Sequence, residues 1–304
     1  MENERKRIPI LIDTDLGDDV DDAAALLVVL NSPELDLRGI TTVYKDTAKR
    51  AEMVKDLLKQ KGAEGIPVIA GSERALIEPT PVGEPIQYAI VPDEHRDEKE
   101  SDVEITGMAA AQFILKEVRE TEGLVIVAIG MLTNLAMAFL IDPETMKRAK
   151  IVGMGGEFRD SQPEWNILCD PEAARIVTDR AEHLTLFGLE VTKYCGISDE
   201  EMERLGSKTS VMSYYLDGAR IFRRKTGYPF TLHDVLPIVW LIDPKISMLE
   251  KCDYTVGLEG KLSRGAVIKQ KDAYRLQTKC RKDFYYARSV DFAAFFRLMD
   301  ERLY

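Results

Sequence analysis

The stretch IPILIDTDLGDDVDDAAALLVVL, from Ile8 to Leu30, decides the fold. It opens with an apolar run, Ile8 to Ile12, whose length and composition are typical of a buried strand. Six aspartates follow within ten residues, and the apolar run Ala23 to Leu30 then indicates a helix. Ligands of open α/β sheets bind outside the carboxyl ends of the strands. The stretch therefore predicts the first strand, a ligand-binding loop and the first helix of such a sheet.

The aspartate run predicts a metal site. Six carboxylates at one strand end repel one another, so bringing even three together requires a cation, protons or many backbone donors. Aspartates at a helix start are ordinary capping residues, but capping alone does not explain six of them. An EF-hand loop is excluded, because its sixth and twelfth positions would be Asp18 and Ala24 instead of Gly and Glu. The DxDxT or DxDxV start of haloacid dehalogenase-type phosphatases is weakly matched, because Gly17 holds the fifth position.

Strand and helix patterns alternate along most of the chain. They predict an α/β fold with an open, mostly parallel, Rossmann-like sheet and helices on both faces. Residues 199–242 are predicted to be mainly helical, and Tyr254 to Gln270 to form a small antiparallel extension. Residues 72–103, rich in proline and charge, are predicted to be a long loop of the kind that is often functional. No internal repeat or linker divides the chain, so we expect a single domain, 1–304.

Composition excludes several classes of protein. The formal net charge of −11 argues against a nucleic-acid or anionic-membrane partner. No apolar run approaches the roughly 20 residues of a membrane span, and the opening MENERKR lacks the apolar core of a signal peptide. The four cysteines are isolated, so neither a disulfide framework nor a zinc site is indicated. We therefore expect a cytoplasmic protein.

Four blocks together resemble the inosine–uridine preferring nucleoside hydrolase family. The opening stretch is similar to the family signature DxDxGxDDxxAL, with two extra residues between Gly17 and the Asp21–Asp22 pair. The later blocks are IGMLTNLA (129–136), EWN (164–166) and TLHDVLPIVWLIDP (231–244). The resemblance implies Ca²⁺-dependent hydrolysis of the N-glycosidic bond of ribonucleosides to ribose and free base. It also implies nucleoside catabolism, with salvage of purines or pyrimidines, and a homodimer or homotetramer.

The resemblance also implies a role for individual residues. The calcium ligands would be Asp15, Asp22, Asp234 and the main-chain carbonyl of Thr133. Asp15 would also activate the calcium-bound water, and His233 would give a proton to the leaving base. The ribose would be held by Asp21, Glu164 and Asn166, with Trp165 under the sugar, and Asp13 would support Asp15. On the residues alone, Thr133 and Asn134 are more typical of a helix cap than of a metal site, and Trp165 is equally typical of a half-buried core residue.

Two departures from the family leave the substrate open. Tyr44-Lys45-Asp46 stands where many members have an Asn after the second strand. Residues 91–103 contain His95 but none of the glycines of the family's loop that closes over the base. The two alternatives are a metal-dependent phosphohydrolase and a non-catalytic Ca²⁺-dependent ribose or nucleoside binder. The helix register favours Asp22 over Asp19 as the metal ligand.

Overall fold

The fold is organised by a mostly parallel sheet of eight strands, seen in a computed structural model that describes residues 7–96, 107–160, 162–269 and 283–303. Its strands are β1 (Ile8–Thr14), β2 (Leu35–Thr42), β3 (Val68–Ala70), β4 (Val125–Ala128), β5 (Lys150–Met154), β6 (His183–Phe187), β7 (Ser247–Lys251) and β10 (Asp283–Val290). A separate antiparallel pair consists of β8 (Tyr254–Val256) and β9 (Val267–Lys269).

Helices follow most of the strands. They are α1 (Asp21–Leu30), α2 (Thr47–Gln60), α3 (Gly107–Glu120), α4 (Thr133–Ile141), α5 (Pro143–Met146), α6 (Trp165–Cys169), α7 (Pro171–Arg180), α8 (Leu189–Thr192), α9 (Asp199–Gly206), α10 (Ser210–Thr226), α11 (Val235–Ile242) and α12 (Phe292–Arg302). Among the described residues, no helix has both the length and the apolar character to cross a membrane.

The strand order places a crevice beside β1. The order is β3-β2-β1-β4-β5-β6-β10-β7, with β7 antiparallel to β10 and the other neighbours parallel. Strands β2 and β3 are added on one side of β1, and β4 then pairs with the other side of β1. Open sheets bind ligands at the point where the strand order reverses, which here lies between the carboxyl ends of β1 and β4.

The core lies on both faces of the sheet. Ile10 and Ile12 of β1 belong to an apolar cluster with residues of α1, α2, α11 and α12, whereas Leu11 belongs to a second cluster with residues of α3, α4 and α7. Successive side chains of a strand point to opposite faces, so an uninterrupted apolar strand requires cover on both. The predicted α/β class, with its antiparallel extension, is confirmed.

Some boundaries differ from the prediction. The first strand extends beyond the apolar run to Thr14, whereas α1 begins at Asp21, with Asp21 and Asp22 in its first turn as its register requires. The described part of the predicted loop contains two 3₁₀ turns, Tyr88–Ile90 and Asp93–His95. Strands β7 and β10 were not predicted from the sequence. Residues 97–103 of the predicted loop, Gln270 and Cys280 lie outside the described residues.

Candidate active site

Three carboxylates meet at the reversal point although they come from distant parts of the chain. Asp21 and Asp22 occupy the first turn of α1, and Asp234 immediately precedes α11. One carboxylate oxygen from each lies within 4.8 Å of the others, and all three side chains are buried. The backbone N–H of Asp234 donates to Asp21 Oδ2 at 3.2 Å. The structure thus brings together the predicted ligands Asp22 and Asp234, and it adds Asp21 to the same group.

The electrostatics of this group fit a divalent cation. Burial, followed by repulsion among neighbouring aspartates, holds the pKa of Asp21, Asp22 and Asp234 well above the ordinary value. Within the described residues none of the three forms an ion pair with lysine or arginine. Buried carboxylates without a countercharge are stable when protonated or when they coordinate a cation. An all-oxygen donor set of this kind suits Ca²⁺ or Mg²⁺.

Asp13 lies inside β1 and is held by neighbouring strands. Its Oδ1 accepts hydrogen bonds from Thr41 Oγ1 at 2.5 Å and Asn134 Nδ2 at 2.8 Å. Its Oδ2 is buried and has no hydrogen-bond partner among the described residues, and burial raises the pKa of Asp13 to about 7. Asn134 also donates to the carbonyl oxygen of Thr42 at 3.0 Å and accepts from the N–H of Ser72 at 2.9 Å. Asn134 therefore ties three strand ends together, and its side chain does not cap α4, whose N-cap residue is Leu132.

Asp15 follows β1 and is half-buried. It lies outside the group of three carboxylates, but its charge contributes to the raised pKa of Asp22 and Asp234. Burial raises the pKa of Asp15 itself to about 6, and the guanidinium of Arg50 opposes that rise. A Cβ at Gly130 would lie 3.1 Å from Asp15 Oδ1, so a larger residue there would crowd the carboxylate.

The widened loop after Gly17 separates the two possible metal-ligand registers. Asp22 Oδ1 accepts a 2.5 Å hydrogen bond from Thr14 Oγ1 inside the site. Asp19 instead accepts from the N–H of Val20 at 2.6 Å, outside the group of three carboxylates. Asp18 forms ion pairs with Arg50 and Lys45. This geometry supports the register with Asp22 at the metal, which stays a prediction.

Thr133 begins α4 beside β1 and is fully buried. Its Oγ1 donates to Asp170 Oδ2 at 2.6 Å, and that oxygen also accepts from the N–H of Leu76 at 2.9 Å. Asp170 Oδ1 caps α7 by accepting from the N–H of Ala173 at 3.0 Å. Asp170 therefore initiates its helix and also fixes the side chain of Thr133.

The EWN block forms the next wall of the crevice. Glu164 is buried and accepts from the N–H groups of Asn166, Gly156 and Ile167 at 2.8, 3.0 and 3.2 Å. Burial nevertheless raises its pKa to about 7. Asn166 donates from Nδ2 to the carbonyl oxygens of Ile129 and Met154 at 3.1 and 3.3 Å.

Trp165 is 58% exposed, so the alternative of a half-buried core residue is wrong. Its ring stands edge-on to Tyr44, with centroids 6.4 Å apart. Tyr44 and Lys45 both have positive φ angles, 73° and 56°. Left-handed backbone at two consecutive non-glycine residues is uncommon and concentrates at functional sites.

His233 is half-buried beside Asp234. Its Nδ1 lies 2.9 Å from Thr192 Oγ1 at the end of α8. Burial lowers the pKa of His233 to about 4, so the imidazole is neutral at pH 7. With Nδ1 engaged by Thr192, Nε2 is the ring nitrogen that remains for a ligand.

A cavity of about 680 Å³ lies at the opposite edge of the sheet. It is lined by residues at the strand starts, among them Ile8, Val125, Lys150 and His183. None of the candidate site residues lines this cavity; they lie at the carboxyl ends of the strands, on the other edge of the sheet.

Comparison with known proteins decides the family. A family model described as inosine-uridine preferring nucleoside hydrolase matches residues 10–297. The chain belongs to this family. The protein is therefore a ribonucleoside hydrolase, an enzyme that acts on N-glycosidic bonds, and neither the phosphohydrolase nor the non-catalytic binder is favoured. Family membership and the acidic group together make it a metal-dependent hydrolase.

Individual nucleoside hydrolases are similar over most of their length. The inosine-uridine preferring nucleoside hydrolase of Leishmania major is 27% identical over 279 residues, which cover 85% of this chain and 86% of that protein. A probable uridine nucleosidase 2 of Arabidopsis thaliana is 31% identical over 257 residues, covering 78% and 76%. The solved structure of the plant nucleoside hydrolase PpNRh1 matches with a TM-score of 0.81 at 26% identity, covering 97% and 98%.

Three residues of this nucleoside hydrolase site were not assigned a role from the sequence. They are Arg50, Asn134 and Thr192, which contact the loop after β1, Asp13 and His233 respectively. The burial of Arg50 could have been predicted from the sequence, because Arg50 lies on the apolar face of α2, four residues before the buried Val54. The contacts of Thr192 and Asn134 are with residues far away in the sequence, so no local sequence pattern predicts them.

Proposed function

We propose that this nucleoside hydrolase is Ca²⁺-dependent, with Asp15, Asp22, Asp234 and the main-chain carbonyl of Thr133 as the protein ligands. The observation that carries the proposal is the buried group of three carboxylates with no lysine or arginine ion pair among the described residues. Hard carboxylate and carbonyl oxygens are the ligands that Ca²⁺ prefers. When bound, the ion supplies positive charge that orients a water molecule and lowers its pKa.

The ribose is assigned to Asp21, Glu164 and Asn166. Glu164 uses three of its roughly four lone-pair positions on backbone N–H groups, which leaves one for a sugar hydroxyl. Asn166 uses its Nδ2 on two carbonyl oxygens, so its Oδ1 remains to accept a hydrogen bond from a sugar hydroxyl. Both side chains are held rigidly before the substrate arrives, which lowers the entropy that binding costs. The exposed ring of Trp165 offers an apolar surface under the sugar.

Hydrolysis breaks the bond between ribose C1′ and a base nitrogen through an oxocarbenium-like transition state. Asp15 accepts a proton as the water attacks C1′, and Asp13 supports Asp15 from β1. His233 gives a proton to the leaving base nitrogen as its bond to C1′ breaks, and the proton that Asp15 has taken from the water balances this loss when both groups return to their starting states. This role requires Thr192 to donate its hydroxyl to Nδ1 of His233, which places the ring proton on Nε2. The neutral ring then begins as a hydrogen-bond donor to the base.

The remaining assignments follow from the family. The named relatives act on inosine and uridine or are a probable uridine nucleosidase, so we assign ordinary ribonucleosides as substrates, within nucleoside salvage. We also propose a cytoplasmic homodimer or homotetramer that binds neither nucleic acid nor membrane. A single domain, 1–304, is supported by the sheet, which contains strands from both ends of the chain.

The experiment that tests this function is incubation with a panel of ribonucleosides and Ca²⁺, followed by measurement of reducing sugar and free base. We expect equal amounts of ribose and base, and a large loss of both in Asp234→Asn. Two results would reject the proposal. One is release of inorganic phosphate from nucleotides with no base released from nucleosides. The other is calorimetric binding of a nucleoside without turnover.

A further inference from the structure

Arg50 is a fully buried cation next to the proposed active site. Its side chain lies on α2 with no solvent exposure, beside the loop that joins β1 to α1. Nε donates to the carbonyl oxygen of Tyr44 at 2.6 Å, and Nη1 donates to that of Leu16 at 2.9 Å and also to that of Asp15. Nη2 pairs with Asp18 Oδ2 at 2.7 Å. One guanidinium therefore holds the loops after β1 and β2 together.

Asp18 is the acidic partner that makes this burial possible. Besides Arg50, it accepts from Lys45 Nζ at 2.9 Å and from the N–H of Ile86 at 3.0 Å. A buried charge is strongly unfavourable unless it is paired and hydrogen-bonded, and here both requirements are met. Asp18 lies in the loop between Gly17 and α1, so this loop and the buried arginine are parts of one arrangement.

Only a guanidinium suits these acceptors. Arginine presents five N–H donors in a rigid planar fork, whereas the lysine ammonium is a compact point charge with three. The fork of Arg50 reaches three carbonyl oxygens and one carboxylate that belong to four different residues. A lysine would keep the charge but could not hold all four acceptors in place.

We propose that Arg50 is a positioning residue for Asp15, holding its backbone carbonyl directly and the rest of the loop through Asp18. This inference rests on the proposed role of Asp15 as metal ligand and base. Arg50 itself is fully buried and does not touch substrate. It fixes where the Asp15 carboxylate stands, and reaction rates are sensitive to misplacement of about 1 Å, which costs up to about 10²-fold.

The test is Arg50→Lys, analysed by steady-state kinetics and by calorimetric Ca²⁺ titration of chelator-treated protein. We expect kcat to fall by about 10- to 100-fold and Ca²⁺ affinity by about 10-fold, because Asp15 serves both functions. KM should stay within about threefold, because Glu164 and Asn166 lie on another loop and still hold the ribose. Wild-type kcat and Ca²⁺ affinity in Arg50→Lys would overturn the inference.

Two further variants separate positioning from simple loss of stability. Leu58→Ala removes a buried core side chain from the same helix without touching the loop, so it should lower stability and leave kcat and Ca²⁺ affinity unchanged. If Leu58→Ala at equal loss of stability reproduces the kinetic defect, Arg50 has only a structural role. If Arg50→Lys fails to fold, Asp18→Asn decides by the same measurements, with the same expected directions.

Asp15→Asn distinguishes failure of this inference from failure of the proposed function. Full activity in Asp15→Asn would reject the proposed role of Asp15 as metal ligand and base, on which this inference rests. Loss of activity in Asp15→Asn, beside unchanged kinetics in Arg50→Lys, would reject the role of Arg50 alone.

Discussion

The backbone N–H of Asp234 donates a hydrogen bond to the carboxylate of Asp21, 213 residues away in the sequence, at a distance of 3.2 Å. This bond joins the start of α11 to the start of α1, so two helix amino termini face the same group of carboxylates. Each terminus carries a partial positive charge that favours anions. That charge alone does not offset three buried acids, since burial still holds the pKa of Asp21 and Asp234 well above the ordinary value.

Removal of Ca²⁺ is expected to abolish activity and to lower thermal stability, because Asp21, Asp22 and Asp234 then repel one another or must take up protons. Restoring Ca²⁺ to 100 times its Kd should return about 2.7 kcal/mol of stability. Activity assays and thermal unfolding after exhaustive chelation measure both effects, with Mg²⁺ as the control ion. Full activity in protein shown by elemental analysis to be metal-free would contradict the prediction.

His233→Ala should reduce kcat by about 10²- to 10⁴-fold, the usual contribution of a general acid, and change KM much less. The loss should shrink with a p-nitrophenyl riboside, because that leaving group needs no proton. His183→Ala, at the opposite edge of the sheet, serves as the control and should retain wild-type kinetics. An equally large loss with both substrates would show that His233 is not the acid.

Asp22→Asn is expected to weaken Ca²⁺ binding strongly, whereas Asp19→Asn should change it little. The reason is that Asp22 lies in the group of three buried carboxylates in the first turn of α1, whereas the carboxylate of Asp19 accepts the N–H of Val20 in the loop before it. Calorimetric titration of the two variants compares them directly. Near-normal affinity in the Asp22 variant beside a large loss in the Asp19 variant would reverse the register.

Glu190→Gln should change how stability depends on pH. Burial raises the pKa of Glu190 from its ordinary 4.5 to about 7, and in the part of the chain that the structure describes its Oε1 has no hydrogen-bond partner. Between these values the folded protein holds one more proton than the unfolded chain, so Glu190 makes stability fall as pH rises. Glu190→Gln has no carboxyl group to lose this proton, so its free energy of unfolding does not fall in this way. The difference in free energy of unfolding, variant minus wild type, should therefore rise by up to about 3 kcal/mol from pH 4.5 to above pH 7.

Urea unfolding of both proteins at several pH values, at saturating Ca²⁺, measures that difference. The substituted amide oxygen can still accept the N–H of Phe158, which Glu190 binds at 3.0 Å. A stability difference that stays constant with pH would show that folding does not raise the pKa of Glu190.

The α/β fold was predictable because periodicity is a local property. The apolar run of β1 and the aspartates that open α1 are adjacent in sequence, and their order alone indicates a strand, a loop and a helix. Strand β10 was missed for the opposite reason. It pairs with β6 on one side and β7 on the other, and these contacts, more than its mixed sequence DFYYARSV, determine its structure.

The same distinction applies to the site. Blocks with several functional residues in a row, such as Glu164 to Asn166, can be recognised from the sequence. The burial of Arg50 could be predicted from the pattern of α2, but its role could not, because that role depends on Asp15 and Asp18, which lie more than 30 residues away. The solvent exposure of Trp165 could not be predicted from the sequence either, since it depends on which surfaces the rest of the chain covers.

The central place of β1 has a consequence for biosynthesis. Its neighbour β2 emerges from the ribosome soon after it, but its other neighbour, β4, begins only at Val125. For several seconds the nascent chain therefore carries an apolar strand with one unpaired edge, a known route to aggregation. The aspartates after β1 repel the same segment of a neighbouring chain and so act as gatekeepers. A fragment ending at Leu124 should aggregate faster in light scattering when Asp18 and Asp19 are replaced by asparagine, and equal rates would contradict that protective role.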